Sequence, residues 1–174
     1  MREQPGDLLL IRHAKATGQA PDAPLTPEGA EAAARLADTL AEAGITRIVS
    51  SPWRRAVDTA RPLAARLGLA IETDGRLTER VLSVADLPDW MTPLEASFAD
   101  PDLALPGGES GRVARARSLA ALAEARDPGG VTAVFTHGNL LALALGLDHA
   151  GWAGLRNPDV WRLDGEGRAV RVGT

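Results

Sequence analysis

The sequence predicts an α/β fold in three layers, with helices on both faces of a mostly parallel central sheet. Short β-favouring runs alternate with stretches of helical spacing along the chain. The first such run, residues 7–11, is apolar without alternation after Asp7, as expected for a strand buried on both faces. The length of 174 residues suits a single domain over residues 1–174 with one sizeable core.

The elements follow in order. After the strand at 7–11, Thr26-Pro27-Glu28 opens a helix. Thr26 suits the cap, Pro27 the first helical position, and acidic Glu28 the positive helix end. Leu36 and Leu40 share one face, and Gly44 is the stop. Residues 45–50 read as the second strand. A second helix starts at Pro52 and runs to Leu67, ended by Gly68, with a kink or break expected at Pro62. Residues 69–72 are a third strand. Residues 85–105 carry Pro88, Pro93 and Pro101, with Pro106 just beyond, among Trp90, Met91, Leu94 and Phe98, which suggests short helices and loops forming a partial lid. A helix is expected at 110–126, a strand at 131–135 and a buried, all-round apolar helix at 139–147. Residues 160–163 and 169–172 flank Asp164-Gly165-Glu166-Gly167, a hairpin signal.

Composition narrows the function classes. Hydrophobic residues make up 45% and charged residues 24%, as in ordinary globular proteins. With four Trp and two Phe as the only aromatics, Leu, Val, Ile and Ala must fill the core. The net charge of -4 argues against a broad basic surface for nucleic acid. The absence of cysteine excludes disulfides, thiolate metal sites and a cysteine nucleophile. No apolar run approaches the roughly 20 residues that a bilayer span needs. The N-terminus is polar and mixed in charge, unlike a signal peptide, so a cytoplasmic location without membrane contact is expected. Oligomeric state is not legible.

His13 and His137 each follow an apolar strand run directly. Ligands of open parallel sheets bind beyond the carboxyl ends of the strands, so both histidines are expected at one sheet edge. Each stands beside a small residue, Ala14 or Gly138, in a turn whose N–H groups can approach an anion. Arg12 adjoins His13, and Arg54 and Arg55 lie just past the second strand. Arginines and histidines converging on one place need an anion, and guanidinium matches phosphate by paired hydrogen bonds. The pattern points to a phosphoryl group handled by positioning and charge stabilisation.

These segments resemble the histidine phosphatase superfamily, the phosphoglycerate-mutase-like family. Arg12-His13-Ala14 is similar to its Arg-His-Gly signature, and residues 50–60 to its Ser-Ser-Pro-x-x-Arg-Ala-x-x-Thr-Ala motif, which selects Arg55 over Arg54. Leu77-Thr78-Glu79 resembles the segment bearing the proton donor. Pro106-Gly107-Gly108-Glu109-Ser110 resembles the motif that opens the helix before the last catalytic strand, and Thr136-His137-Gly138 the segment of the second histidine. The resemblance runs from residue 8 to about residue 163.

The resemblance implies a phosphoglycerate-mutase-like fold and a phosphatase acting on phosphomonoesters of a small metabolite or a phosphorylated protein side chain. His13 would be the nucleophile, carrying phosphate as phosphohistidine, with its other ring nitrogen donating to a backbone carbonyl. Arg12, Arg55 and His137 would clamp the phosphoryl oxygens, with Thr17 and Gly138 as further substrate contacts. Glu79 would act as acid and then base, its pKa raised by burial. No cofactor or metal is implied, since arginine and histidine supply the positive charge. A mutase of phosphoglycerate type and a non-catalytic phosphate-binding module on the same fold are the alternatives. The short 17–25 segment argues against the mutase, which must exclude water.

Ala14 replaces the usual glycine, which is tolerated if its backbone is not left-handed. Lys15 and Asn139 also depart from the family pattern. Glu109 is assigned to a helix N-terminus rather than to chemistry, His149 to surface or loop, and Arg112, Arg115 and Arg117 to a solvated helix face.

Overall fold

A computed structural model describes residues 2–173. Strands β1 (Leu8–Arg12), β2 (Ile45–Ser50), β3 (Ile71–Thr73), β4 (Val131–Thr136), β5 (Asp159–Leu163) and β6 (Ala169–Arg171) form one sheet in the order β3-β2-β4-β1-β5-β6. The pairs β1–β4, β2–β4 and β2–β3 are parallel, whereas β5 and β6 are antiparallel additions at one side. The mostly parallel sheet expected from the sequence is present, and the expected hairpin is β5–β6.

Helices α1 (Pro27–Leu40) and α2 (Arg54–Leu67) cover one face, and α4 (Gly111–Ala125) and α5 (Gly138–Leu145) the other. The side-chain period of two explains why β1 had to be apolar over Leu8–Ile11. Leu9 and Ile11 point into the core with Leu36, Leu40, Ile48 and Leu63. Leu8 and Leu10 point into the opposite core with Val134, Leu122 and Leu141. These four apolar side chains are buried, each worth about 1.5–3 kcal/mol relative to exposure. Among the described residues no helix is long and apolar enough to cross a membrane.

Thr26 caps α1 as expected, accepting the Gly29 N–H at 3.0 Å. The α2 boundary differs from expectation. It begins at Arg54 rather than Pro52, because Ser51 Oγ accepts the Trp53 N–H and the Arg54 N–H turns to the Pro21 carbonyl. Nor does α2 break at Pro62. Burial of Ala56, Ala60, Leu63 and Ala64 outweighs the one backbone bond that proline cannot make. Gly68 ends α2 in the left-handed conformation with φ 66°, and the Leu69 N–H folds back to Ala64 O. That bond keeps Leu69 out of β3, which starts two residues later than expected.

The 85–105 region contains one regular helix, α3 (Met91–Ala99). A short 3-10 turn at Gly75–Leu77 and a helix α6 (His149–Ala153) were not anticipated. Asp148 caps α6 by accepting the Gly151 N–H. His149 is therefore helical, and its ring packs 6.0 Å from Phe98 and 5.4 Å from Trp152 rather than lying in a surface loop.

Candidate active site

Parallel pairing decides where the chemistry gathers. Arg12 stands opposite Thr136 and Ser50 opposite Phe135, so β1, β2 and β4 end level. The ladder continues one step further, with His13 N–H to Thr136 O at 3.1 Å and Ser51 N–H to Phe135 O at 2.9 Å. His13, Ser51 and His137 thus leave the sheet side by side, as the sequence led us to expect for the two histidines.

His13 is buried, and its Nδ1 lies 2.7 Å from Ala14 O. A carbonyl can only accept, so Nδ1 carries the proton and Nε2 keeps its lone pair. Nε2 accepts the Arg55 Nε–H at 3.2 Å. Burial, followed by the nearby Arg55 and Arg12 charges, lowers the His13 pKa to about 4, against the opposing Ala14 carbonyl bond. The ring is therefore neutral near pH 7. Ala14 is fully buried and is not in the left-handed region. Its N–H donates to Thr59 Oγ1 at 3.0 Å. The alanine methyl group is accommodated where the family has glycine.

Arg55 comes from the first turn of α2 and is buried. Its NH1 donates to the Gln19 and Ala20 carbonyls, so it also holds the 17–25 segment. Its guanidinium lies 4.9 Å over the Trp53 ring. Arg54 is exposed and pairs with Asp58. Of the two arginines, the one that the motif selects is the one that lies beside His13. Arg12 donates through NH1 to Leu155 O at 3.2 Å. Its Nε is buried and has no hydrogen-bond partner among the described residues. Gly138 lies directly beneath it: a Cβ there would stand 2.7 Å from Arg12 Cζ and Nε.

His137 is fully buried, edge-on to the His13 ring at 5.2 Å and to Trp53 at 5.0 Å. Its Nε2 lies 2.8 Å from Ser51 Oγ. Its Nδ1, like Arg12 Nε, is buried without a partner among the described residues. Buried polar groups are normally satisfied, and an anion between these groups would satisfy both.

Glu79 reaches the same place by a longer route. The 3-10 turn reverses the chain after β3, and Thr136 Oγ1 donates to Leu77 O to hold it at the edge of β4. The Glu79 carboxylate then caps α5, Oε1 accepting the Arg80 and Leu140 N–H groups and Oε2 that of Asn139. Burial raises its pKa, opposed by those N–H groups and by Arg12.

Among the described residues the Thr17 hydroxyl makes no hydrogen bond to this cluster. Thr17 is exposed, and its N–H donates to Pro24 O. Several supporting residues escaped the sequence reading. Ser51 and Thr59 lie within the quoted motif yet drew no role. Trp53 sits at a variable position of that motif. Asn157 Nδ2 donates to His13 O at 3.0 Å from a distant segment. Two further assignments are corrected. Arg117 is not on a solvated face: it donates to the carbonyls of Arg76, Thr78 and Glu79. Glu109 does not serve a helix end but pairs with Arg117 at 2.7 Å and accepts the Val81 N–H.

The sequence profile of the histidine phosphatase superfamily, branch 1, matches residues 8–170. An uncharacterized protein of Mycobacterium tuberculosis is 47% identical over 62 residues, covering 36% of this chain and 31% of that protein. The chain therefore matches only about a third of that relative's length. A probable phosphoglycerate mutase of Shigella boydii is 32% identical over 182 residues, covering 90% of this chain and 84% of that one. Among solved structures, mycobacterial glucosyl-3-phosphoglycerate phosphatase with inorganic phosphate superposes with a TM-score of 0.75 at 30% identity, over 96% of this chain and 95% of that one. Phosphoglycerate mutase from Bacillus anthracis shares the fold, with a TM-score of 0.74 at 19% identity, over 97% of this chain and 92% of that one.

Proposed function

The chain belongs to the histidine phosphatase superfamily, and we propose that it works there as a phosphomonoester phosphatase with His13 as nucleophile. The observation that carries the reading is the locked, neutral ring of His13. Its Nδ1 is tied to Ala14 O and its Nε2 lone pair faces the guanidinium of Arg55. Arg12 Nε and His137 Nδ1 are buried beside it without partners among the described residues. That arrangement suits three phosphoryl oxygens held by Arg12, Arg55 and His137.

In the first step Nε2 attacks phosphorus and the bond to the ester oxygen breaks. Glu79 protonates the leaving oxygen. Oε2 accepts one N–H and Oε1 two, so Oε2 has the freer lone pair and is the atom that holds the transferable proton. In the second step the Glu79 carboxylate takes a proton from water, whose oxygen attacks phosphorus. The phosphorus–nitrogen bond breaks and its electron pair returns to Nε2. Gly138 allows Arg12 its close approach, and Thr17 remains a candidate substrate contact at the rim.

The substrate class is a phosphorylated small molecule or a phosphorylated protein side chain. Likeness to a glucosyl-3-phosphoglycerate phosphatase supports the first of these. Residues 1–174 are read as one domain built on a single sheet, working in the cytoplasm.

The test is release of inorganic phosphate from an aryl phosphate and a panel of phosphate esters, with and without a chelator. Turnover is expected in both conditions. His13→Ala should abolish it, and quenched wild-type enzyme should carry acid-labile, base-stable phosphate on His13. Absence of turnover across the panel would sink the reading. Interconversion of phosphoglycerates without net phosphate loss would replace it with the mutase.

A further inference from the structure

Ser51 follows β2 directly and is fully buried. Its hydroxyl oxygen accepts the Trp53 N–H at 3.2 Å and lies 2.8 Å from His137 Nε2. A serine hydroxyl has one proton and two lone pairs, and Trp53 occupies one lone pair. If His137 Nε2 donated to Ser51, the serine proton would be left buried without an acceptor. His137 Nδ1 would then present a bare lone pair toward the incoming anion. If Ser51 donates to Nε2 instead, both problems vanish. Nδ1 then carries the ring proton, and Nδ1 is the buried atom without a partner among the described residues.

We propose that Ser51 is a positioning residue that fixes His137 in its Nδ1–H tautomer, so that an uncharged His137 still donates a hydrogen bond to the phosphoryl group. This rests on the phosphatase reading of the site. Burial, with His13 and Arg55 nearby, holds His137 well below the ordinary histidine range. A neutral ring has one donor only, so which nitrogen bears it decides whether the residue attracts or repels an anion. The turn fixes two things at once. The Trp53 ring packs against the imidazole at 5.0 Å, setting its plane, while the Trp53 N–H orients the serine that sets its proton.

The experiment is nitrogen-15 NMR of histidine-labelled protein. The chain has three histidines, so His149→Gln and His13→Gln assign the spectrum. In the wild type, His137 should show a protonated Nδ1 and an unprotonated Nε2. Inorganic phosphate should shift the Nδ1–H and slow its exchange. Ser51→Ala should give mixed tautomers and lower kcat/KM on an aryl phosphate about 10–100-fold, the range for partners that orient a binding group. Ser51→Thr, which keeps the hydroxyl, should restore both tautomer and rate. A protonated Nε2 in the wild type overturns the proposal, and so does an unchanged tautomer in Ser51→Ala. A protonated Nε2 in the wild-type spectrum would overturn the proposal even if Ser51→Ala fails to fold, and Ser51→Thr tests the hydroxyl in its place. Lack of turnover by the wild type would instead strike the phosphatase reading, and the spectrum would still read the tautomer.

Discussion

Gly138 shows how narrowly one residue can set the site. Its missing Cβ is the space that the Arg12 guanidinium occupies. Glycine here is required by a close approach and not by an unusual backbone angle. Gly138→Ala should push Arg12 aside and raise KM for an aryl phosphate about tenfold, roughly 1.4 kcal/mol of binding. The thermal midpoint should change little, because the displaced guanidinium can turn toward solvent. Steady-state kinetics with parallel thermal melts check this, and an unaltered KM would remove Arg12 from the phosphoryl clamp. Ala14 is the companion case. A fully buried methyl group without left-handed backbone explains why glycine is dispensable at that position.

At the scale of elements, α4 acts on the site through a segment it does not adjoin in sequence. Arg117 gathers the carbonyls of Arg76, Thr78 and Glu79, and its ion pair with Glu109 reaches the Val81 N–H. The 3-10 turn and Glu79 are thereby pinned against α4 and the N-terminus of α5. Arg117→Ala should lower kcat about 10–100-fold with a smaller change in KM, since Glu79 is needed for proton transfer. It should also destabilise the protein by about 1–3 kcal/mol, through carbonyls and a carboxylate left unpaired. Arg117→Lys should recover only part, because an ammonium lacks the planar fork. A fall confined to KM would contradict the assignment. Helical arithmetic does hold a trace of this role. Residue 117 lies about 200° around the helix from residue 115, so Arg117 cannot share the face of Arg112 and Arg115. The partners on its own face come from residues 76–79 and could not be read from the spacing.

The whole molecule carries the burial of the site as a pH-dependent stability. The His13 pKa falls from the ordinary 6.5 to about 4 on folding. Between those values the unfolded chain binds more protons than the native one, so stability rises with pH. The contribution is present above pH 6.5 and is lost as pH falls toward 4, on the order of 3 kcal/mol. His137 is shifted in the same direction. Glu79 is shifted up and works in the opposite sense above the ordinary carboxylate range. Urea midpoints should therefore drop between about pH 7 and about pH 5, and less steeply in His13→Asn than in the wild type. Parallel slopes would show that the buried imidazole is not the source. At this scale, too, the division between sequence and tertiary structure is clearest. The apolar run of β1, the Thr26 cap and the Gly68 stop were legible because they depend on local periodicity and backbone chemistry. The strand runs put His13, Arg55 and His137 at one sheet edge, because β1, β2 and β4 end level, whereas Glu79 is expected there only from the resemblance of its motif. The sequence did not tell that Ser51 faces His137, that Arg117 holds the Glu79 segment, or that Asn157 binds the His13 carbonyl. Those contacts join residues up to 144 positions apart. They exist only once the sheet order and register are set, and no local pattern encodes a hydrogen bond whose two ends meet through packing.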